Sequence, residues 1–323
     1  MRHQRGMALI TVLLVVAVVT VVSAGIIARQ QLSIRSSTNQ LHVRQAWHYA
    51  LGGETLAKAV LLRDLRQGDP RMPVDHLNES WAKPLAPFAL DEGGELRVQI
   101  SDLSARFNLN SLVRQGQPND AAMAQFRRLL LGLQIETPYA ERLLDWLDAD
   151  DQASGAYGAE DNQYLLQQPP YRAGNRALAD VSELRLLLEM NEVDYQRVSP
   201  YVTALPAEAT LNVNTASARV LASVADGLSL SAALGLVAAR GSEGYDKPEG
   251  FTGQPALAGL QPQSQALGVG SQYFQVVSEV HIGDRRQVLR STLYRASDGR
   301  IYVLARDLGL SGMPAAPVEE VEP

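Results

Sequence analysis

The first thirty residues restrict the fold of this chain more than any other stretch. A short basic leader, residues 1–6, precedes an uncharged run from Met7 to Ala28, and charge returns only at Arg29. A helix of that length rises about 33 Å, enough to cross the ~30 Å hydrocarbon layer of a bilayer. Everything downstream is therefore attached to a membrane, exported across one, or both.

Two processing schemes fit this segment. In one, it is a secretory signal with a small-residue exit at Val22-Ser23-Ala24. In the other, the helix is retained and only the leader is removed, after Gly6. The flanking charges do not decide, because two arginines precede the apolar run and Arg29 and Arg35 follow it.

The continuation favours retention. Residues 29–67 contain no proline, and a set of apolar residues recurs near helical spacing: Leu41, Trp47, Leu51 and Val60. The pattern predicts one helix from Met7 to about Arg66, apolar in its first half and amphipathic in its second. The pair Gly52-Gly53 is expected to weaken or bend it.

Composition narrows the function. With 323 residues the chain has ample length for a buried core, and its net charge of −6 argues against a nucleic-acid binder. The absence of cysteine excludes disulfides, thiolate metal sites and cysteine catalysis. None of the five histidines lies in a nucleophile or metal motif, so catalysis is not expected. Residues 211–240 loosely resemble a helix-hairpin-helix, but the turn at 226–229 has one glycine where phosphate binding needs two.

Strand patterns flank a helical zone. After an irregular stretch over residues 68–94, Glu95–Ile100 alternates apolar and polar residues, which predicts a strand that continues to Leu112. Near the other end, 273–282 and 287–294 flank the turn Gly283-Asp284, and a third strand is expected from Ile301. Between them, capped apolar runs predict an all-helical module.

The expected class is α+β: a long N-terminal helix on a small antiparallel sheet, with a large all-helical domain inserted between strands. The boundaries predicted for the parts are leader 1–6, membrane-spanning helix 7–28, amphipathic helix 29–67, linker and first strand 68–110, helical insertion 111–265, C-terminal strands 266–310 and a disordered acidic tail 311–323.

The densest acidic cluster surrounds a glycine-containing loop in the helical zone. Six carboxylates fall within the seventeen residues from Asp145 to Asp161. They repel one another unless they are solvated or bridged by a cation, and oxygen ligands of this kind suit calcium. The spacing does not fit an EF-hand, since Ala153 and Ala159 occupy positions that need glycine and glutamate. A solvated acidic loop remains the alternative, and Asp145 either reaches the site or faces solvent.

The layout of the chain resembles that of a type IV pilin or pseudopilin: a short leader, a glycine, an uncharged helix, its amphipathic continuation and a globular head. Two residues depart from most of that family: the first mature residue is Met7 rather than phenylalanine, and the fifth is Thr11 rather than glutamate. A carboxylate at that depth is costly unless it meets a partner charge. The absence of that glutamate suits a subunit at the tip of a filament, which has no subunit above it to supply the partner charge. The alternative is that Thr11 is simply a tolerated polar residue in a membrane anchor.

Across nearly the whole chain, the sequence resembles the K component of type II secretion, a minor pseudopilin (general secretion pathway protein K family). The motifs that carry the resemblance are Gly6-Met7-Ala-Leu, Phe107-Asn-Leu-Asn-Ser111, Leu144-Asp-Trp-Leu-Asp148, Asp180-Val-Ser-Glu-Leu-Arg185, Pro200-Tyr-Val-Thr203 and Leu211-Asn-Val-Asn-Thr215.

The resemblance implies a non-enzymatic subunit at the pseudopilus tip, inserted once in the inner membrane with its head in the periplasm. Processing is expected between Gly6 and Met7, and methylation at Met7. Expected partners are the I- and J-type minor pseudopilins, the prepilin peptidase, the inner-membrane secretion machinery and, as a further candidate, exported substrates. K-type pseudopilins carry calcium in their helical domain, and the ligands expected here are Asp148, Asp150, Asp151, Glu160 and Asp161. The alternative is a periplasmic or secreted calcium-binding enzyme or adhesin with an ordinary signal peptide.

Overall fold

One helix carries the chain from the apolar segment into the head. A computed structural model describes residues 4–69, 72–91, 93–262, 267–283 and 285–308, with side chains from residue 8 onward. Helix α1 spans Gln4–Gln67 without interruption, so Gly52-Gly53 does not break it. The apolar window of this helix has a mean hydropathy of 2.9 and is 0% buried, which by length and composition allows a membrane span.

The last third of α1 packs on the sheet through small residues. Ala46, Ala50, Gly53, Ala57 and Leu61 recur at three- or four-residue intervals and are all buried. The apolar residues that suggested amphipathicity contribute unevenly, because Leu41 is 55% exposed whereas Val60 is buried. The small residues let the helix lie close against the strands. Trp47 and Leu51 pack beside them, partly buried, so of the predicted apolar residues only Leu41 lies outside the contact face.

The sheet has five antiparallel strands in the order in which they occur along the chain. They are β1 (Phe88–Leu90), β2 (Gly94–Asp102), β3 (Tyr273–Ile282), β4 (Arg285–Arg295) and β5 (Ile301–Asp307). The predicted C-terminal meander is confirmed, and β1 adds a strand inside the stretch assigned as irregular. The predicted run of β2 to Leu112 is wrong: the Asp102 carboxylate accepts a hydrogen bond from the Ser104 backbone N–H at 2.7 Å, and this turn ends the strand.

The insertion between β2 and β3 is mainly helical. Its α-helices are α2 (Asp120–Gly132), α3 (Tyr139–Leu147), α4 (Asp161–Tyr164), α5 (Glu192–Val198), α6 (Ala218–Ala222), α7 (Leu230–Ala239) and α8 (Pro248–Thr252). Five 3₁₀ turns lie among them, at Leu109–Leu112, Gly155–Tyr157, Val181–Leu186, Ser199–Tyr201 and Pro255–Leu257. Two-residue strands also pair within it: Phe107–Asn108 with Val202–Thr203, Val113–Arg114 with Gln117–Pro118, and Leu211–Asn212 with Leu267–Gly268.

The insertion has two apolar cores rather than one. Residues 107–202 enclose the first, which includes Phe126 and Tyr164, and residues 211–257 enclose the second, which includes Leu221 and Phe251. A third cluster joins α1 to the sheet and takes in Trp81 from the stretch before β1. That stretch is therefore packed against the head, since Trp81 is 1% exposed.

Buried asparagines join distant segments of the insertion, and polar contacts from residues 212–215 tie the insertion to the stretch before β1 and to β2. The Asn110 amide donates to the backbone oxygens of Leu178 and Leu205, at 3.0 and 2.9 Å. The Asn212 amide donates to the Asp75 backbone oxygen at 3.0 Å, and the Thr215 hydroxyl donates to the buried Asp102 carboxylate at 2.5 Å. These recognisable asparagine motifs thus hold backbone together, because each buried amide satisfies carbonyl groups from distant segments.

Several sequence predictions fall outside the described residues. The acidic tail 311–323 and Asp284 of the β3–β4 turn lie there, and so do residues 1–3 of the leader and the side chain of Met7.

Candidate metal centre

The acidic cluster lies between two helices of the first core of the insertion. Helix α3 ends at Leu147, Asp148 follows directly, and the chain passes through the 3₁₀ turn Gly155–Tyr157 to Glu160, the residue before α4. Helix α3 is almost wholly buried. The chain thus leaves the core at Asp148 and returns to it at Glu160.

Aromatic packing fixes both ends of this loop. The Trp146 ring meets the Tyr164 ring edge-on at 5.2 Å between centroids, and Tyr171 lies 5.4 Å from Tyr164. Gly174 leaves room for the indole, because a Cβ there would lie 2.6 Å from Trp146 Nε1. Since Trp146 precedes Asp148 by two residues and Tyr164 follows Glu160 by four, this packing positions both carboxylates.

Asp145, in the last turn of α3, holds the loop through its buried carboxylate. It is 0% exposed, which excludes the solvent-facing alternative, and its two carboxylate oxygens accept from the Ser154 N–H at 2.9 and 3.1 Å. Gly158 approaches so closely that a Cβ would lie 2.1 Å from Asp145 Oδ2. Burial raises the pKa of Asp145, while the hydrogen bonds from Ser154 oppose that rise.

Three of the five predicted ligands come together. Asp148, Asp150 and Glu160 each offer a carboxylate oxygen, and these atoms lie within 4.8 Å of one another. Asp148 is 8% exposed and Glu160 is 3% exposed. Asp148 Oδ1 and both carboxylate oxygens of Glu160 are buried and accept no hydrogen bond from any residue that the structure describes. Such orphaned oxygens are costly without a donor or a cation.

The electrostatics of the group point the same way. Burial, with Asp150 and Asp145 adding to it, raises the pKa of Asp148 to about 6. Burial and four neighbouring aspartates raise the pKa of Glu160 to about 7. Within the described part of the chain no lysine or arginine pairs with Asp148, Asp150 or Glu160. A hard divalent cation with oxygen ligands would relieve both the repulsion and the missing hydrogen bonds, so these residues fit calcium.

The other two predicted ligands point elsewhere. The Asp161 carboxylate pairs with Arg172 at 3.2 Å and accepts from the Ala173 N–H at 2.9 Å, so its charge is already compensated. Asp151 is exposed, and its Oδ1 lies 3.4 Å from the side-chain amide of Asn175. The structure does not bring either residue into the three-carboxylate group.

Asn175 is a site residue that the sequence did not reveal. Its amide donates to the Asp150 backbone oxygen at 3.3 Å, and its own Oδ1 is buried without a hydrogen bond among the described residues. It adopts a φ of +43°, a conformation that asparagine tolerates better than most residues. The pair Gly174-Asn175 was the available signal, since both residue types mark a chain that bends sharply.

Comparison with known families gives a consistent result over the insertion. The family model described as "Type II secretion system (T2SS), protein K" matches residues 105–207 and 211–270, in two parts. The division between these parts falls between the two apolar cores of the insertion.

Individual relatives extend the similarity to the whole chain. A type II secretion system protein K from Pseudomonas aeruginosa is 59% identical over 97% of this chain and 95% of its own length. The protein K of Klebsiella pneumoniae is 38% identical over 96% of this chain and 98% of its own. Among solved structures, one chain of the GspK-GspI-GspJ complex from enterotoxigenic Escherichia coli covers 85% of this chain and 99% of that chain, with a TM-score of 0.75 and 28% identity.

Proposed function

This chain belongs to the protein K family of type II secretion systems and is a minor pseudopilin, and we propose that it sits at the tip of the pseudopilus and helps to initiate its assembly. The observation that supports this most is the division of α1. The apolar first part of that helix contacts nothing in the head, whereas its last third is built into the sheet. One rigid rod thus links a membrane or fibre axis to the head.

The N-terminal helix supports a single-pass anchor in the inner membrane with the head in the periplasm. We propose cleavage after Gly6, a methylated Met7, a membrane part over 7–28 and the predicted order of domains. The inserted domain runs over residues 103–272 rather than the predicted 111–265, because β2 ends at Asp102 and β3 begins at Tyr273. The Thr11 hydroxyl donates to the Ala8 carbonyl oxygen at 2.9 Å, so its polar group is satisfied within its own helix. Unlike a glutamate, it needs no partner subunit, which suits a terminal position.

The size of the insertion also supports the tip. Residues 103–272 extend between β2 and β3, where neighbouring strands otherwise need only a short turn. Repeated along a tightly packed fibre, this bulk would clash with adjacent heads; at the end of the fibre it does not. The proposed partners are the I- and J-type minor pseudopilins, as in the complex named above, together with the prepilin peptidase, the inner-membrane machinery and exported substrates.

Calcium completes the proposal. Asp148, Asp150 and Glu160 would hold the ion, with exposed Asp151 beside them. Bound there, calcium would supply charge compensation to the loop between α3 and α4. We expect a structural role for it and no catalysed reaction, in keeping with a subunit that acts by assembly.

Processing provides the first test. Coexpression with a prepilin peptidase should yield a chain whose N-terminus, read by mass spectrometry, is Met7. Gly6→Val should block cleavage, while Gly25→Val should leave it intact. A mature chain that begins at Gly25 would contradict the proposal and restore the signal-peptide alternative.

Position in the fibre provides the second test. Antibody against the insertion should label one end of pseudopili in electron micrographs, and a cysteine placed at exposed Leu41 should cross-link to I- or J-type subunits. Label spread along the fibre, or cross-links chiefly to the major pseudopilin, would exclude the tip.

A further inference from the structure

A second acidic group lies where α1 ends, far from the loop between α3 and α4. Asp64 comes from the last turns of α1, and Asp75 and Glu79 come from the stretch before β1. Each offers a carboxylate oxygen within 4.8 Å of the others. We call this group, together with Arg295 of β4, the junction.

Arg295 supplies one positive charge to these three carboxylates. Its guanidinium is 2% exposed, donates to both oxygens of Asp75, one at 2.7 Å, and approaches Asp64 Oδ2 at 3.4 Å. It also donates to the Ser271 backbone oxygen at 2.7 Å and stacks over the Phe274 ring at 4.9 Å. Asp75, 1% exposed, accepts in addition from the Ser271 N–H at 2.7 Å. This pair is the fixed part of the junction.

Asp64 and Glu79 are the surplus carboxylates. Glu79 accepts from the Trp81 indole N–H at 2.5 Å and from the His76 backbone N–H at 3.1 Å. Among the described residues, the Asp64 carboxylate has only the long contact to Arg295, and its side chain is 11% exposed. Among the described residues, the other ionisable groups near this region include His76, with Nε2 at 3.8 Å from Glu79, and Asp69, which lines the same cleft of about 280 Å³. Arg63 donates to the Ser80 hydroxyl of that cleft at 3.4 Å, and the Asp102 carboxylate accepts from the Ser271 hydroxyl, next to the N–H that Asp75 accepts. Fully ionised, the junction therefore carries more negative than positive charge in a largely buried place.

A proton is the simplest compensation for that surplus. Burial, reinforced by Glu79 and Asp75 and opposed by Arg295, raises the pKa of Asp64 to about 7. Burial also raises the pKa of Glu79. Two carboxylates that face each other without enough cations commonly share a proton in this way.

We propose that the junction is a proton-operated latch, which holds the end of α1 against the stretch before β1 when one proton is bound and loosens when that proton leaves. The latch joins three segments that are distant in sequence, so its state changes how firmly the stretch before β1 is held against α1 and β4. This role is independent of calcium and of the position in the fibre.

The direction follows from linkage. The folded junction holds its proton up to about pH 7, whereas an opened junction releases it near the ordinary aspartate value of 3.8. Between these values the closed form binds more protons, so closure weakens as pH rises, by up to about tenfold in the opening equilibrium per pH unit. Above about pH 7 both forms are ionised and the dependence disappears.

Amide hydrogen exchange of the full chain in detergent micelles tests the latch. The reporters are the Asp75 N–H, bonded to the Val269 oxygen at 2.9 Å, and the Ser271 N–H. After correction for intrinsic rates, their protection in the wild type should fall five- to a hundredfold from pH 5 to pH 8. Asp64→Asn, which mimics the protonated state, should remove that dependence, and Asp91→Asn in the exposed β1–β2 turn should leave it unchanged.

A second variant guards against a merely structural effect. Glu79→Gln removes one repelling charge from Asp64, so the pH at which protection levels off should move lower. The measurements are made in excess calcium, which keeps the loop between α3 and α4 in one state at every pH. The same pH dependence of protection should persist in chelator. Equal effects of Asp64→Asn at pH 5 and pH 8, an unmoved midpoint in Glu79→Gln, or a profile that calcium abolishes would each overturn the latch.

Discussion

The two acidic clusters of this protein have the same number of carboxylates and opposite solutions to their repulsion. The junction contains Arg295, brought to Asp75 across 220 residues of sequence. The loop between α3 and α4 has no such cation among the described residues, and three of its buried carboxylate oxygens accept no hydrogen bond there. One cluster carries a compensating cation within the fold and leaves only its surplus carboxylate to a proton, whereas the other leaves all of its compensation to be supplied from solution.

This difference separates two kinds of stability. The junction connects α1, the stretch before β1 and β4, so it belongs to the scaffold, and its Arg295–Asp75 pair holds without any ion from solution. The loop is local, spanning residues 148–160, and its order is free to depend on a ligand. If calcium binds there as proposed, the loop is stabilised only where the ion is present.

Removing the internal cation should give the largest effect. Arg295→Met leaves Asp75 buried without its partner, which costs about 3–5 kcal/mol for a broken buried ion pair. Urea unfolding of the full chain in micelles measures it. Arg300→Met, at a side chain that is 76% exposed, is the control and should leave stability almost unchanged. A loss below about 1 kcal/mol for Arg295→Met would mean that the junction does not need its own cation.

Removing the external cation should come next. Chelation should lower the melting temperature of the insertion, since an ion at a hundred times its Kd contributes about 2.7 kcal/mol. The double change Asp148→Ala, Asp150→Ala should mimic chelation and abolish the response to calcium. Asp161→Asn is the matched control, because Arg172 already compensates that carboxylate, and it should retain the response.

In chelator the stability order of the wild type and the double variant should be the opposite of their order in calcium. The double variant lacks the repulsion that remains in the wild type, so it should be the more stable of the two when no ion is present. If calorimetry shows no difference between calcium and chelator for the wild type, the proposed site is excluded.

Glu54 is the opposite extreme, one carboxylate with two cations. Its side chain is 3% exposed and accepts from Arg306 at 2.7 and 3.0 Å, from Lys58 at 2.9 Å and from the Ser291 hydroxyl at 2.8 Å. Burial raises its pKa, but these contacts outweigh burial and lower the pKa to about 2. Because the folded value lies below the unfolded 4.5, the stabilisation is complete above about pH 4.5 and is lost as pH falls towards 2.

Glu54→Gln should therefore cost about 1–3 kcal/mol at pH 7 and much less at pH 3. Urea unfolding at the two pH values measures the difference. Glu141→Gln, at a surface pair with Arg127, serves as the control and should show a small cost at both. An equal cost of Glu54→Gln at pH 7 and pH 3 would assign the residue a packing role alone.

The sequence was most informative where structure is local. The β3–β4 hairpin follows from alternation around Gly283. A capping box forms between Asp180 and Glu183, which are three residues apart, and it begins a 3₁₀ turn. Asp148, Asp150 and Glu160 could be proposed because they are close in sequence. Arg295, by contrast, could not be assigned to Asp75, since no periodicity relates residues 220 apart. The end of β2 at Asp102 was missed because a side chain that turns the chain looks, in sequence, like one more alternating residue.

The smallest effect concerns how α1 meets the sheet without any charge. Gly53 is buried, and a Cβ there would lie 2.5 Å from Ser278 Oγ and 2.9 Å from Val98 Cγ2, whereas a Cβ at Gly52 would meet nothing within 4 Å. Gly53→Ala should therefore destabilise the head by about 1–2 kcal/mol, and Gly52→Ala should stabilise it by about 0.5–1 kcal/mol through helix propensity. Urea unfolding of the two variants side by side measures both signs. Changes of opposite sign in the free energy of unfolding would show that α1 packs closely against the strands at Gly53 and that this part of the scaffold, like Arg295, needs no ligand. Stabilisation by both substitutions would mean that α1 does not pack closely on the sheet at this position.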